Sequence, residues 1–195
     1  MRNESWIVAV MAMLIACSAG AEERRELGAH EHGHSILNIA IEGETVAMEL
    51  MAPGADIVGF EHEAESAEDE AALEAAEVKL SDPLSLFVMP SEAGCTVETA
   101  AVEIEEDAHH AEAHDEAHHD EAEEHGDEHV AEHSEFHVEY RLACPEPGEL
   151  GTIRFGYFEA FPNAMEVEVN VITEKGQSSF EVQREAPILN LGGLV

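Results

Sequence analysis

Histidines crowd one acidic stretch of this chain, and their spacing suits the binding of divalent metal ions. Eight of the 13 histidines fall between Glu105 and His133, in a low-complexity run of Ala, Glu, Asp and His. They are His109, His110, His114, His118, His119, His125, His129 and His133. Because neutral imidazole is a standard ligand for zinc, copper and nickel, we predict a metal-binding insert here.

Two sets of these histidines repeat at intervals of four residues. The sets are His110, His114, His118 and His125, His129, His133. On a helix this interval brings Cβ atoms within about 5–6 Å, so two rings can reach one ion and neighbouring carboxylates can complete its coordination. The insert lacks large apolar residues, so we expect it to be a disordered loop with several weak sites. An acidic linker with incidental histidines and a pH sensor are the alternative interpretations.

Histidines outside the insert are the candidates for tighter metal sites. Three of them alternate ahead of the first strand, where an extended chain would show them on one face. These three are His30, His32 and His34. His62 follows the first hairpin, and His133 lies at the entrance to a later strand, where a rigid scaffold would hold it. His137 is expected to point from the polar face of that strand.

The charge balance favours cations as partners. The chain has 44 acidic residues against 8 Lys and Arg, giving a net charge of −36 with His neutral. Such a surface repels nucleic acid and anionic lipid, so neither is an expected partner. The sequence has no HExxH motif and no nucleophile elbow, so we expect a binding protein and not an enzyme. Zinc is the expected metal, and copper or nickel is the alternative.

The N-terminus is typical of an export signal. Trp6–Ala16 is an apolar run of about the length of a signal-peptide core and is too short to span a bilayer. Small residues then precede a cleavage point ahead of Glu22, which makes residues 1–21 the predicted signal peptide. Leu14–Cys17 also resembles a bacterial lipobox, and its use would leave Cys17 lipid-bearing. Both routes deliver the chain to the periplasm, with membrane attachment only if Cys17 is lipidated.

The elements that carry the histidines predict an α+β fold with a mainly antiparallel sheet and one covering helix. Residues 22–195 are predicted to form a single zinc-binding domain, with 105–133 as its flexible insert. Alternating apolar residues predict strands over 35–42, 45–51, 95–104, 136–144, 151–158, 166–173 and 178–183. The helix is predicted over 66–80, with Leu73, Ala76, Val78 and Leu80 on its buried face.

Two cysteines are predicted to close the hairpin from which the insert projects. In an oxidising compartment, the even pair Cys95 and Cys144 favours a disulfide over a thiolate metal site, since the two lack CxxC spacing. The two strands then pair from end to end if a β-bulge near Ala100 or Ala101 restores the apolar phase. The predicted pairs are Cys95–Cys144, Val97–Leu142, Thr99–Tyr140, Val102–Val138 and Ile104–Phe136.

Short motifs around the histidines and cysteines form an ordered set. They are His30-Glu31-His32-Gly33, Gly59-Phe60-Glu61-His62, Ala93-Gly94-Cys95, His133-Ser134-Glu135-Phe136 with Tyr140 and Cys144, Phe161-Pro162, and Gly176-Gln177. Together they resemble the ZrgA family of zinc-regulated periplasmic proteins, over essentially all of the mature chain. The resemblance implies a periplasmic role in which the protein binds zinc and assists zinc uptake under scarcity. It also implies ligand positions at His30, His32, His62 and His133. From this role we expect a zinc-uptake binding protein or an ABC importer as partner.

Overall fold

The first two strands form a hairpin that begins at His34. A computed structural model describes residues 32–106 and 133–195. Strand β1 runs over His34–Glu42 and strand β2 over Thr45–Pro53, and the two pair antiparallel as the sequence predicts. Alternate apolar side chains of both strands are buried, so one face of the hairpin packs on the core.

The longest of the described helices, α2, runs over Ala67–Leu80 and begins at its predicted N-cap. The hydroxyl of Ser66 accepts a hydrogen bond from a backbone N–H inside the first turn, which satisfies a donor that would otherwise have no partner. Ala76 and Leu80 are buried as predicted, but Val78 is 71% exposed. Its predicted place on the buried face is wrong, because a residue two positions from Ala76 points to the opposite side of a helix.

Three one-turn α-helices accompany α2 in the described part of the chain. They are α1 over Gly54–Ile57, α3 over Pro83–Leu86 and α4 over Tyr157–Ala160. The predicted strand over 151–158 therefore ends early, since its last residues turn into α4. The first of these helices follows β2 directly, and the loop after it carries Glu61 and His62.

The hairpin that flanks the insert is formed by β4 over Thr96–Glu106 and β5 over Ser134–Ala143. The disulfide between Cys95 and Cys144 closes its base, which confirms the predicted pairing of the two cysteines. The strands pair antiparallel as far as Glu106, which lies opposite Ser134. Both ends of the insert therefore meet at the same end of this hairpin.

The β-bulge in this hairpin lies earlier than predicted. The register shifts between Val97 and Thr99, so Thr99 lies opposite Arg141 and not opposite Tyr140. The predicted pairs on either side of the bulge are confirmed: Val97–Leu142, Val102–Val138 and Ile104–Phe136. The apolar pattern requires one extra residue between these fixed pairs but does not say which residue it is.

The remaining strands complete two sheets. Their bounds are β3 Phe87–Val88, β6 Thr152–Phe155, β7 Glu166–Thr173, β8 Gly176–Gln183 and β9 Ile188–Asn190. The larger sheet has the order β4-β5-β2-β1-β7-β8, and the smaller has the order β3-β6-β9. Only β1 and β7 pair in parallel among these described strands, so the α+β class with a mainly antiparallel sheet is confirmed.

The core lies between one face of the larger sheet and the segments that cover it. Phe87 of the small sheet contacts Tyr140 of β5 edge to face, with ring centroids 6.2 Å apart. Within residues 32–106 and 133–195, no helix is both long and apolar enough to cross a membrane. One end of this packed sheet, where β1 and β5 begin and β2 ends, holds the described candidate ligands.

Candidate metal centre

Glu61 carries the carboxylate at which two of the predicted ligand histidines meet. Its Oε2 lies 2.7 Å from Nδ1 of His133, and its Oε1 lies 3.1 Å from Nε2 of His32. The Glu61 side chain is only 12% exposed, compared with 64% for His32 and 38% for His133. A largely buried acid thus joins two histidines that are about 100 residues apart in the sequence.

The two imidazoles favour the ionised form of Glu61. Burial alone would raise the pKa of this carboxyl, but the hydrogen bond from His133 and the nearby His32 ring outweigh it and hold the pKa below its ordinary value. Because an ionised carboxylate has no proton to donate, Nδ1 of His133 must be the donor. In the neutral His133 ring, the lone pair that binds a metal is then on Nε2.

The second oxygen of Glu61 has unused capacity as an acceptor. Across the described part of the chain, Oε1 of Glu61 is a buried atom with no aligned hydrogen-bond donor. Nε2 of His32 lies 3.1 Å from this oxygen and helps to lower the pKa of Glu61, but it is not aligned for a full hydrogen bond. Buried acceptors of this kind are uncommon in folded proteins. Carboxylate oxygen and imidazole nitrogen are both zinc ligands, so this donor set fits zinc.

His62 is held beside Glu61 by its neighbours in the loop. Its ring stacks on Phe60, with centroids 4.7 Å apart and an interplanar angle of 16°. Its Nδ1 lies 2.8 Å from the backbone carbonyl oxygen of Glu63. Since a carbonyl can only accept, Nδ1 carries the hydrogen, and in the neutral ring the lone pair of His62 is then on Nε2. This oriented, exposed ring can take part in metal binding.

Gly54 lets the loop with Glu61 lie against the first residues of β5. A Cβ atom at Gly54 would collide with Oγ of Ser134 and would lie 2.7 Å from the carbonyl oxygen of Phe60. Two backbone N–H groups of the loop donate to the Gly54 carbonyl, at 2.8 and 3.2 Å. The missing side chain at this position therefore allows two segments of the site to approach each other.

The chain turns at His32 and does not continue as an extended strand. Gly33 has a φ of +89°, in the left-handed region, and β1 begins only at His34. The predicted alternation of His32 with His34 along one extended face is therefore wrong. His34 lies instead near a different carboxylate, with its Nδ1 3.4 Å from Oε1 of Glu166.

His137 lies on the polar face of β5, as predicted. Its Nε2 is 3.4 Å from Oε1 of Glu49, on the neighbouring strand β2. The four-residue separation from His133 corresponds to roughly 13 Å of extended chain. His137 and His133 therefore contact different carboxylates.

Eight of the predicted ligands lie outside the described residues. They are His30, His109, His110, His114, His118, His119, His125 and His129. Within residues 32–106 and 133–195, no three or more His, Cys, Asp or Glu side chains already surround a common metal position. Of the predicted ligands that are described, the structure brings His32 and His133 together at one carboxylate and places His62 next to it in the chain.

Two carboxylates close to these histidines are not among the predicted ligands. Glu61 has a signal in the sequence, since it directly precedes His62 in a short motif. Asp56 is 2% exposed and accepts a hydrogen bond from the backbone N–H of Gly33 at 2.6 Å. Its signal is that it is the single acid in the apolar stretch 53–60, where a buried charge requires a partner.

Comparison with known proteins identifies the family. A family model described as "ZrgA family zinc uptake protein" matches residues 29–191, which is well over half of the chain. The chain belongs to the ZrgA family. This confirms the resemblance carried by the short motifs and connects the protein with zinc and its uptake. Among curated proteins, no sequence matches this chain.

Proposed function

We propose that this protein captures zinc in the periplasm and passes it to a zinc-uptake system, with zinc as cargo. The observation that carries the proposal is the contact of both His32 and His133 with the largely buried Glu61 carboxylate. Membership of a zinc uptake family supports the choice of metal. Imidazole and carboxylate are ligands that zinc accepts in a tetrahedral site.

The histidines of the centre are already oriented for capture. His133 and His62 both have Nδ1 engaged by an oxygen acceptor, so each neutral ring would bind zinc through Nε2, and the contact restricts the rotation of the ring. His32 and the buried oxygen of Glu61 add a third nitrogen and a carboxylate. His30 is proposed as a further ligand from its place in the same motif.

The surface position of the centre suits release as well as capture. The His32 and His133 side chains are 64% and 38% exposed, so a partner protein can reach the ligands. A structural zinc site is usually closed by four protein ligands, whereas transfer requires ligands that another protein can replace. We therefore propose handover to a periplasmic zinc-uptake binding protein or an ABC importer, and binding without catalysis.

The insert is proposed to act as a zinc buffer next to this centre. Glu106, the last residue of β4, pairs with Ser134, so the insert leaves and rejoins the sheet beside His133. Zinc held weakly by the insert histidines would be kept at high local concentration near the ordered ligands. The net charge of −36 favours the accumulation of cations around the chain.

Zinc calorimetry on two forms of the protein tests this function. The insert-silenced chain is defined here as the full chain in which the seven histidines of residues 107–132 are replaced by Gln. We expect the unsubstituted protein to bind more than one zinc per chain at neutral pH, and the insert-silenced chain to keep one tighter site. Equal stoichiometry in both forms would contradict the buffering role. Loss of all zinc from the insert-silenced chain would contradict the ordered centre.

A further inference from the structure

Asp56 is a buried carboxylate beside the turn that carries His32, and it is none of the proposed ligands. Its Oδ1 accepts the backbone N–H of Gly33 at 2.6 Å, and Gly33 directly follows His32 in the chain. We propose that Asp56 is the positioning residue of the zinc site, holding the His32–Gly33 turn so that His32 presents its ring to Glu61. This inference rests on the proposed function.

Gly33 is held by hydrogen bonds at both its backbone N–H and its backbone carbonyl. Its carbonyl accepts hydrogen bonds from the backbone N–H groups of Met165 and Glu166, both at 2.9 Å. A Cβ at Gly33 would lie 3.2 Å from Cγ of Met165, and the positive φ would strain any other residue. Of these three hydrogen bonds, the one to Asp56 is the only one that involves a side chain. It can therefore be removed by substitution without changing the turn sequence.

His32 depends on this backbone clamp because its own side chain is poorly packed. The side chain is 64% exposed, so surrounding atoms do little to restrict its ring. The direction of the Cα–Cβ bond, which the turn sets, then decides whether the ring reaches Glu61. A ligand displaced by about 1 Å binds far less well, since metal sites depend on supporting residues for their geometry.

Asp56 is itself part of a buried polar chain. The hydroxyl of Ser35 lies 3.4 Å from Oδ2 of Asp56 and 2.9 Å from the hydroxyl of Tyr157. Burial raises the pKa of Asp56, and the Gly33 N–H and the Ser35 hydroxyl oppose that rise. An apolar side chain would avoid the cost of burying a carboxylate, so the presence of Asp56 indicates a need for its acceptor atoms.

Two substitutions of similar shape separate the acceptor from the volume of Asp56. In the insert-silenced chain, we expect Asp56→Leu to weaken zinc binding about 10–100-fold, the range found for residues that orient ligands. Asp56→Asn should restore most of this loss, because its Oδ1 can accept from Gly33 while the Ser35 hydroxyl accepts from its amide. Leu binding zinc like the parent, or Asn binding as poorly as Leu, would overturn the proposal.

A double-mutant cycle with His32→Ala distinguishes positioning from general damage. If Asp56 acts through His32, Asp56→Leu should cause no further loss of zinc affinity once His32 is absent. A purely structural effect would persist in the His32→Ala background and would overturn the proposal. If Asp56→Leu does not fold, Asp56→Ser, whose hydroxyl is too short to reach Gly33, takes its place in the cycle.

Hydrogen exchange on the unsubstituted full chain gives a test that needs no variant. We expect the Gly33 amide to be protected before zinc is added, since it is bonded to a buried carboxylate. Exchange as fast as in an open loop would overturn the fixed turn. Failure of the proposed function has a different signature: His32→Ala and His133→Ala would both leave zinc affinity unchanged. Loss of affinity in those two variants but not in Asp56→Leu would overturn the positioning role alone.

Discussion

The residue just before β5 and a residue inside β5 are both histidines that contact a glutamate, and the two pairs have different surroundings. His133 donates to Glu61 at 2.7 Å, and that carboxylate is 12% exposed. His137 lies 3.4 Å from Glu49, whose side chain is 37% exposed. The residue types are the same, so the difference lies in distance, burial and the number of histidines that converge.

The two glutamates differ most clearly in the second residue that each one contacts. Glu61 also meets His32, a residue from a different segment of the chain. Glu49 instead accepts a hydrogen bond from the side-chain amide of Asn38 at 3.1 Å. Asn38 brings no second imidazole to this carboxylate. A histidine–carboxylate contact alone therefore does not mark a metal centre. We propose that the convergence of a second imidazole on a desolvated carboxylate does.

Removal of His133 should have the largest effect on the ordered centre. In the insert-silenced chain, we expect His133→Ala to lower zinc affinity by more than about 100-fold, beyond the range for residues that only orient ligands. The loss follows from removal of the ligand nitrogen and of the hydrogen bond to Glu61. Calorimetry in competition with a zinc chelator measures it. A decrease of less than about threefold would show that His133 is not a ligand.

Glu61→Gln should weaken zinc binding by about 10–100-fold in the same chain. The amide has one acceptor oxygen and one donor nitrogen, so it cannot accept from His133 while also offering a second oxygen to His32 or zinc. Glu49→Gln is the matched control, because it makes the same chemical change at the other pair. Equal losses in the two variants, measured by the same competition, would remove the distinction between the pairs.

Gly54→Ala should act on the scaffold of the centre. The added methyl group would collide with Ser134 Oγ, so we expect a loss of about 1–3 kcal/mol in the free energy of unfolding. Zinc binding should weaken as the loop moves away from β5. Gly148→Ala is the control, since a Cβ at Gly148 meets no atom within 4 Å. Urea unfolding that gave equal values for both variants would argue against the close approach at Gly54.

His137→Ala should have the smallest effect. Its partner Glu49 is more than a third exposed, and such surface pairs contribute little to stability. In the insert-silenced chain, the zinc dissociation constant of His137→Ala should stay within about twofold of the parent value. A loss comparable with that of His133→Ala would mean that the centre extends along β5.

The sequence predicts the sheet well because its strands obey local rules. Alternating apolar residues and two-residue turns identify β1, β2 and β7, and the cysteines identify the partner of β5. The parallel pairing of β1 with β7 is not predicted, since it joins segments more than a hundred residues apart. The predicted bulge is misplaced by two or three residues, because several positions restore the same apolar phase.

The centre is predicted only in part for the same reason. His32, His62 and His133 are identified from residue type and motif, yet no local pattern shows that Glu61 contacts both His32 and His133. The positive φ at Gly33 removes His34 from the expected face, and a left-handed glycine cannot be told from any other glycine by its letter. Residue types and motifs predict which side chains can bind a metal, whereas tertiary contacts decide which of them come together.

Nitrogen-15 correlation spectra of the histidine rings during a zinc titration test the centre most directly. In the insert-silenced chain, we expect the rings of His32, His62 and His133 to change together and to saturate at one zinc per chain. The His137 ring should keep its resonances throughout. A His137 ring that responded in step with His133, or a His133 ring that did not respond at all, would contradict a centre built on the Glu61 carboxylate.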